Sequence, residues 1–296
     1  MTGELGVLIH GAGWVAGQHA AAFSNNPQTR VVAVSSRHKS SADRFAREHG
    51  LSAATFDDLD AALAHPGIDI VCVCTPQHVH CENVLAAAAA GKHLVIEKPA
   101  AISPDELRRM CRAVEQAGVK SIVSFVLRWN PMFQAIKKHI ATGDLGEIHS
   151  VETDYQSYNA DWWGGWEDGR RADTGVSAMT VAGWHAIDAL RWFAAPGEFE
   201  AADPLEVFAW SGGHRKGTTR QFNPLEDAWH KGTPLEYDGI EILLVRFSNG
   251  RSHLDGGRRL HQTRQSTMKT YDREVRKFPP EKLRDLHAPL FQTGNP

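Results

Sequence analysis

Short apolar runs alternate with helical stretches through residues 1–125. Leu5–His10, Arg30–Ser35, Asp69–Cys74, His93–Glu97 and Ser121–Phe125 are rich in Val, Ile and Leu with little polar alternation. That pattern predicts strands covered on both faces. Between them, Val15–Ser24, Ser41–His49, Leu59–Ala64, His78–Ala89 and Pro104–Ala117 predict helices. Ser103, Pro104 and Glu106 supply a cap, a first-position proline and an acid for the last of these starts. Strand alternating with helix implies a parallel sheet with right-handed crossovers, a doubly wound α/β architecture.

After Phe125 the rhythm changes. A helix is predicted over Pro131–Thr142, and Gly146–Tyr158 alternates like a long strand wet on one side. A Gly- and Trp-rich loop, Trp162–Gly175, leads into a helix over about Ser177–Phe193, and Leu205–Trp210 and Ile240–Phe247 read as further strands. This predicts a second, α+β unit around an antiparallel or mixed sheet. The expected division is 1–125 and 126–296. Within the latter, residues 251–296 stand apart: ten Lys/Arg against five Asp/Glu and no sustained period.

Composition narrows the partners. With 42 % hydrophobic and 23 % charged residues the 296-residue chain is of globular type, and a formal charge of -3 gives no electrostatic reason to expect nucleic acid or an anionic membrane. Met1–His10 lacks the segments of a signal peptide, and the most apolar stretch, Val84–Ala90, is too short to span a bilayer. Cys72, Cys74, Cys81 and Cys111 form no Cys-x-x-Cys pair and read as reduced thiols of a cytoplasmic protein. His78 and His80 are the nearest approach to a metal-ligand spacing, and no metal is expected from them.

Directly after the first strand comes Gly11-Ala12-Gly13-Trp14-Val15-Ala16-Gly17. Gly11 permits a tight turn, Gly13 lets backbone approach a pyrophosphate, and Ala16 packs helix on strand. The helix opening at Trp14 and Val15 then offers free N–H groups and a positive dipole end to phosphates. This predicts a dinucleotide-binding Rossmann unit. The second strand ends Ser35-Ser36-Arg37, without the carboxylate that would hold a ribose 2′-hydroxyl. Ser36 and Arg37 suit a 2′-phosphate, so NADP is expected in preference to NAD, with NAD left open.

Further motifs carry a resemblance over roughly residues 5–250. They are Thr75-Pro76-Gln77-His78-Val79-His80, Gly91-Lys92-His93-Leu94-Val95-Ile96-Glu97-Lys98-Pro99, Arg128-Trp129-Asn130-Pro131, Gly143-Asp144-Leu145-Gly146-Glu147-Ile148 and Gly183-Trp184-His185-Ala186-Ile187-Asp188. Together with the glycine turn, the chain resembles the Gfo/Idh/MocA family of glucose–fructose oxidoreductase, inositol dehydrogenase and rhizopine-catabolism proteins. The resemblance implies a Rossmann domain followed by a domain with an open, mostly antiparallel sheet. It also implies hydride transfer between a nicotinamide and a secondary alcohol or ketone of a sugar, polyol or related carbohydrate.

By the same resemblance, Lys98 and His185 are the expected catalytic pair, Lys98 at the reacting oxygen and His185 relaying a proton. Thr75, Pro76, His80 and Glu97 would border the cofactor beside Lys98. Asn130, Tyr155, Trp162, Trp163 and Asp188 are the weaker substrate-side candidates. Two departures stand out. Catalytic members mostly carry an aspartate four residues before the histidine, where this chain has Val181; Thr180 points about 100° off that face, and Asp173 is another acid to consider. Beyond Ile240–Phe247 the expected sheet gives way to the basic segment, and an uncovered sheet predicts a homo-oligomer, dimer or tetramer. A non-catalytic dinucleotide- or sugar-binding member of the family is the alternative that Val181 keeps open.

Overall fold

In the computed structural model residues 4–155, 167–175, 177–212, 216–223, 228–238 and 240–247 are described. The first half follows the strand–helix order β1 (Leu5–His10), α1 (Trp14–Asn25), β2 (Thr29–Ser35), α2 (Lys39–Glu48), β3 (Ala54–Phe56), α3 (Leu59–Leu63), β4 (Ile70–Val73), α4 (His80–Ala89), β5 (His93–Ile96), α5 (Pro104–Ala117) and β6 (Ser121–Val123). Its strands form one six-stranded sheet in the order β3-β2-β1-β4-β5-β6, every pair parallel. The chain winds outward in both directions from β1 and β4, so their carboxyl ends flank the switch point where such sheets take ligands.

The strands read as continuous apolar runs because each face meets helices. Val7 and Ile9 pack with Ala16, Ala20 and Phe45 on one side, while Leu8 packs with Val84, Leu94 and Met110 on the other. β4 divides the same way, with Cys72 and Cys74 toward α1 and Val71 and Val73 toward α4. Helix α5 starts as its cap predicts: the Ser103 hydroxyl accepts from the Glu106 N–H at 3.2 Å, Pro104 follows, and Gly118 closes the helix at φ 65°.

The sheet has a sixth strand that the hydrophobic pattern does not announce. β3 has only three residues, all half-buried, and pairs with the end of β2.

The second half contains α6 (Pro131–Ala141), α7 (Trp184–Ala194), β7 (Pro204–Gly212), β8 (Arg220–Asn223), β9 (Ala228–Lys231) and β10 (Ile240–Phe247). β7 pairs antiparallel with β10, and β8 with β9. The ammonium of Lys137 in α6 is buried and donates to the carbonyls of Trp192 and Ala195, which closes the end of α7.

Two expectations are corrected here. Residues 146–155 of the expected strand are not a strand. Their alternation is nonetheless used: Val151 packs on Trp192 and Phe193 of α7, and the Thr153 hydroxyl donates to the Ala186 carbonyl at 3.0 Å. One face of the segment is thus packed on α7 and on the cluster that includes Phe247 of β10, without pairing as a strand. The expected helix over Ser177–Phe193 opens instead with a π-helical turn, Met179–Gly183, before α7 begins. The Glu241 carboxylate of β10 receives the Met179 N–H and the Ser177 hydroxyl at that entry.

Among the described residues no helix is long and apolar enough to cross a membrane. The expectations for 156–158, for Trp162 and Trp163 and for 251–296 lie outside the described residues.

Candidate active site

Gly11 sits at φ 113°, and a Cβ there would lie 2.6 Å from the Cys74 carbonyl oxygen. Only glycine lets β1 turn this close to the end of β4. The Gly11 N–H is held by the Ser35 carbonyl at 2.8 Å, so the ends of β1, β2 and β4 are locked together. Gly13 then caps α1 without a side-chain bond; a Cβ on it would meet nothing within 4 Å, and no acid lies in the first turn. The result is open space above a helix N-terminus with no capping side chain and no acid in its first turn, which is a cradle for an anionic group. Trp14 is exposed at the rim and Val15 packs inward against the sheet.

At the end of β2, Ser36 is half-buried and Arg37 exposed. The neighbouring Lys39 ammonium is taken up by Asp43 at 2.9 Å and Thr55 at 2.8 Å. His10 bonds the Ser35 hydroxyl through Nδ1 at 2.8 Å, and burial holds its pKa down.

The two loops after β4 and β5 are clasped by one imidazole. His80, 1 % exposed, lies with Nε2 2.8 Å from the Thr75 carbonyl and Nδ1 2.9 Å from the Pro99 carbonyl. The Thr75 hydroxyl accepts from Asn83 at 2.9 Å, which fixes the residue before Pro76. Glu97 is buried; one oxygen meets His19 Nε2 at 2.8 Å and the other accepts the Lys98 N–H at 3.2 Å. Burial pulls the His19 imidazole down, but its bonds to Cys72 and Glu97 outweigh that and hold it up at about 10. His80 and Glu97 thus hold the backbone on either side of Lys98.

The Lys98 ammonium donates to the Val181 carbonyl at 2.8 Å. Val181 lies within the π-helical turn, and such a turn leaves carbonyls unused by the regular helical ladder. Thr180 does not take that place: its hydroxyl donates to the Gly175 carbonyl and accepts the Ser177 N–H. Asp173 is exposed and engaged by Arg171, which keeps its carboxyl ionised. His185 is buried against Lys98, with the Tyr155 ring stacked on it at 5.3 Å. Burial, and then the Lys98 charge, lower its pKa to about 4, while burial also lowers that of Lys98. At neutral pH the pair is therefore a neutral imidazole beside an ammonium that gives up its proton more readily than usual. His185 Nδ1 and Trp184 Nε1 are buried and have no hydrogen-bond partner among the described residues. Buried orphans of this kind call for a partner that the described residues do not supply.

The substrate-side candidates separate. Tyr155 reaches the site. Asp188 gives both oxygens to Arg128 at 2.7 and 2.8 Å, and Asn130 accepts the Met132 N–H as the cap of α6, so both hold the scaffold. Arg170 is likewise committed, to the carbonyls of Thr233 and Thr218. Three participants escaped the sequence reading: His19, Asn83 and the Val181 carbonyl. A histidine among the inward residues Ala16 and Ala20 of α1 was the signal available for the first; the other two leave none.

Comparison with known proteins places these features in context. Residues 5–125 match the model of the oxidoreductase family with NAD-binding Rossmann fold, and residues 133–266 match the GFO/IDH/MocA C-terminal domain. The chain is 34 % identical over 151 residues to inositol 2-dehydrogenase of Rhizobium meliloti, covering 51 % of this chain and 44 % of that protein. It is 29 % identical over 266 residues to levoglucosan dehydrogenase of Pseudarthrobacter phenanthrenivorans, covering 83 % of this chain and 65 % of the relative. The chain thus spans about half to two-thirds of the length of these relatives. Among solved structures, GenD2 from gentamicin A biosynthesis in complex with NAD superposes with a TM-score of 0.67 at 25 % identity, over 87 % of this chain and 68 % of that one.

Proposed function

We propose, from the premise that the chain belongs to the Gfo/Idh/MocA oxidoreductase family, that it oxidises a secondary alcohol of a sugar or polyol, or reduces the matching ketone, with NADP preferred over NAD. The observation that carries this reading is the approach of Lys98 to the entry of α7: its ammonium bonds the Val181 carbonyl, four residues before the buried His185, whose Nδ1 has no hydrogen-bond partner among the described residues. The turn fits a dinucleotide: Gly11 and Gly13 leave the approach clear and α1 offers its N-terminus. Ser36 and Arg37, with no carboxylate beside them, support a 2′-phosphate. Similarity to inositol and levoglucosan dehydrogenases supports the substrate class.

When bound, the nicotinamide supplies or takes up hydride. Lys98 hydrogen-bonds the reacting oxygen, exchanging the Val181 carbonyl for it, and transfers its proton. Neutral His185 relays that proton between Lys98 and solvent. Tyr155 stacks on one face of the imidazole and fixes its plane for that relay. The exposed apolar residues of β7 support self-association through the second-half sheet, and the free cysteines support a cytoplasmic, reducing setting.

A screen of sugars and polyols with NADP and NAD, followed by absorbance of the reduced coenzyme, tests the activity. Lys98→Met should lower turnover about 10²–10⁴-fold with coenzyme affinity little changed. Unaltered turnover in that variant overturns the assignment of Lys98, and tighter binding of NADH than NADPH overturns the coenzyme preference. A second reading, binding without turnover, draws on one observation: the Lys98 ammonium rests on a carbonyl where a carboxylate would stand. Tight NADPH binding with no substrate turned over would favour it.

A further inference from the structure

Below the glycine turn lies a cluster that the proposed hydride chemistry leaves unused. Cys72 on β4 and Cys74 just past its end are two residues apart in extended chain, so both side chains leave the same face. Their sulfurs are 3.6 Å apart, and both are free thiols. Apolar side chains of α1 cover most of this face, but over the sulfurs α1 presents His19. The His19 imidazole and the two sulfurs each offer a ligand atom, and all three lie within 4.8 Å of one another. From the end of β5, Glu97 brings a carboxylate oxygen to 2.8 Å from His19 Nε2.

We propose that Cys72, Cys74, His19 and Glu97 form a binding site for a thiophilic divalent cation, Zn²⁺. The donor set is the chemistry that ion selects, two thiolates and an imidazole with a carboxylate completing four. The spacing agrees as well. Two sulfurs each about 2.3 Å from a tetrahedral zinc stand about 3.8 Å apart, close to the observed 3.6 Å. The imidazole and carboxylate need only separate from hydrogen-bond distance to receive the ion between them. Glu97 is already oriented through its other oxygen, which accepts the Lys98 N–H. Entry is from the side of His19 and Glu97, whose side chains are 16 % and 11 % exposed, whereas Cys72 is wholly buried. The two thiol protons, and the proton that the raised pKa of His19 keeps on its imidazole, leave to solvent as the ion binds. The donors come from three separate elements, α1, β4 and β5, so no short sequence spacing marks them.

The test uses the full chain, reduced and freed of metal with a chelator, titrated with Co²⁺ and then Zn²⁺. One Co²⁺ per chain should give a thiolate-to-cobalt charge-transfer band and the strong visible bands of a tetrahedral ion, both removed by Zn²⁺. Exposed histidines alone give no thiolate band. Cys111→Ser removes the exposed thiol and should leave the spectrum intact. Cys72→Ser with Cys74→Ser should abolish it, and His19→Gln should weaken binding by at least the about 10–100-fold that loss of an outer-shell partner costs. No thiolate band in the folded, reduced chain overturns the proposal, as does a band that vanishes in Cys111→Ser. Those two measurements decide the matter even if the cysteine variants fail to fold. NADPH affinity, measured separately, reports on the coenzyme site alone.

Discussion

Leu8 in β1 and Phe208 in β7 are both large apolar residues in mid-strand, yet Leu8 is 0 % exposed and Phe208 67 %. The difference lies in what each sheet's own connections cover. The crossovers of the parallel sheet return α1 and α2 over one face and α3, α4 and α5 over the other, so the mid-strand residues of β1 and β4 find a layer on both faces. The β7–β10 pair is joined antiparallel, and among the described residues no helix covers most of β7; Phe247 is buried with Ala194 at the end of α7, while Leu205, Val207 and Trp210 stand exposed. The cradle and the Lys98 loop are built on the first kind of sheet, and His185 is brought to them by α7 from the second half.

The largest effect expected from this contrast is in the doubly covered sheet. Leu8→Ala removes contacts on a closed face and should cost about 2–5 kcal/mol in denaturant unfolding. A loss below about 1 kcal/mol would mean that the face can collapse and that the two sheets differ less than their burial indicates. Next comes the turn. Gly11→Ala combines a positive φ with a Cβ driven against the Cys74 carbonyl, and should cost about 2–3 kcal/mol. Its coenzyme affinity should fall with it, since the turn must open to relieve the contact. A variant that keeps both stability and affinity would show that the backbone at Gly11 is not confined as described.

The junction of the two halves carries a pH signature. His185 faces Lys98, with Glu97 behind it, the Tyr155 ring stacked on it and Asp188, paired to Arg128, one turn along α7. Its folded pKa of about 4 is below the usual imidazole value of about 6.5, burial being the main cause. As pH falls below 6.5 the unfolded chain takes up this proton first. The stabilisation is therefore full above 6.5 and lost progressively toward pH 4. His185→Gln should flatten the melting temperature over that window relative to the parent chain; an unchanged slope would place the titrating group elsewhere.

Legibility in the sequence follows the same divide. Runs such as Val7-Leu8-Ile9 were readable because burial on two faces leaves no room for polar residues. β3 was not, since three half-buried residues at the sheet's edge carry too little pattern. Over 146–155 the alternation correctly foretold one buried face, but periodicity does not say whether a strand or a helix provides it. The glycine turn was legible because each glycine has a steric reason. Lys98 and His185 were expected through resemblance, while the bond of Lys98 to the Val181 carbonyl falls in the π-helical turn, which no spacing of side chains encodes. The cluster of His19, Cys72, Cys74 and Glu97 was hidden for a related reason: its members are neighbours only after the sheet has formed.

The smallest effect belongs to the exposed strand, and it decides how far the contrast extends into solution. Phe208 pairs with Leu244 across the β7–β10 ladder but leaves most of its ring in water. Phe208→Ser should therefore shift the unfolding free energy of dilute protein by no more than about 0.5 kcal/mol. If β7 is where copies of the chain meet, the same variant should elute later than the parent at high concentration and show a melting temperature less dependent on concentration. A loss of about 3 kcal/mol or more at every concentration is the cost of emptying a core site. It would mean that the outer face of β7 is covered within a single chain, and that the two sheets are buried alike.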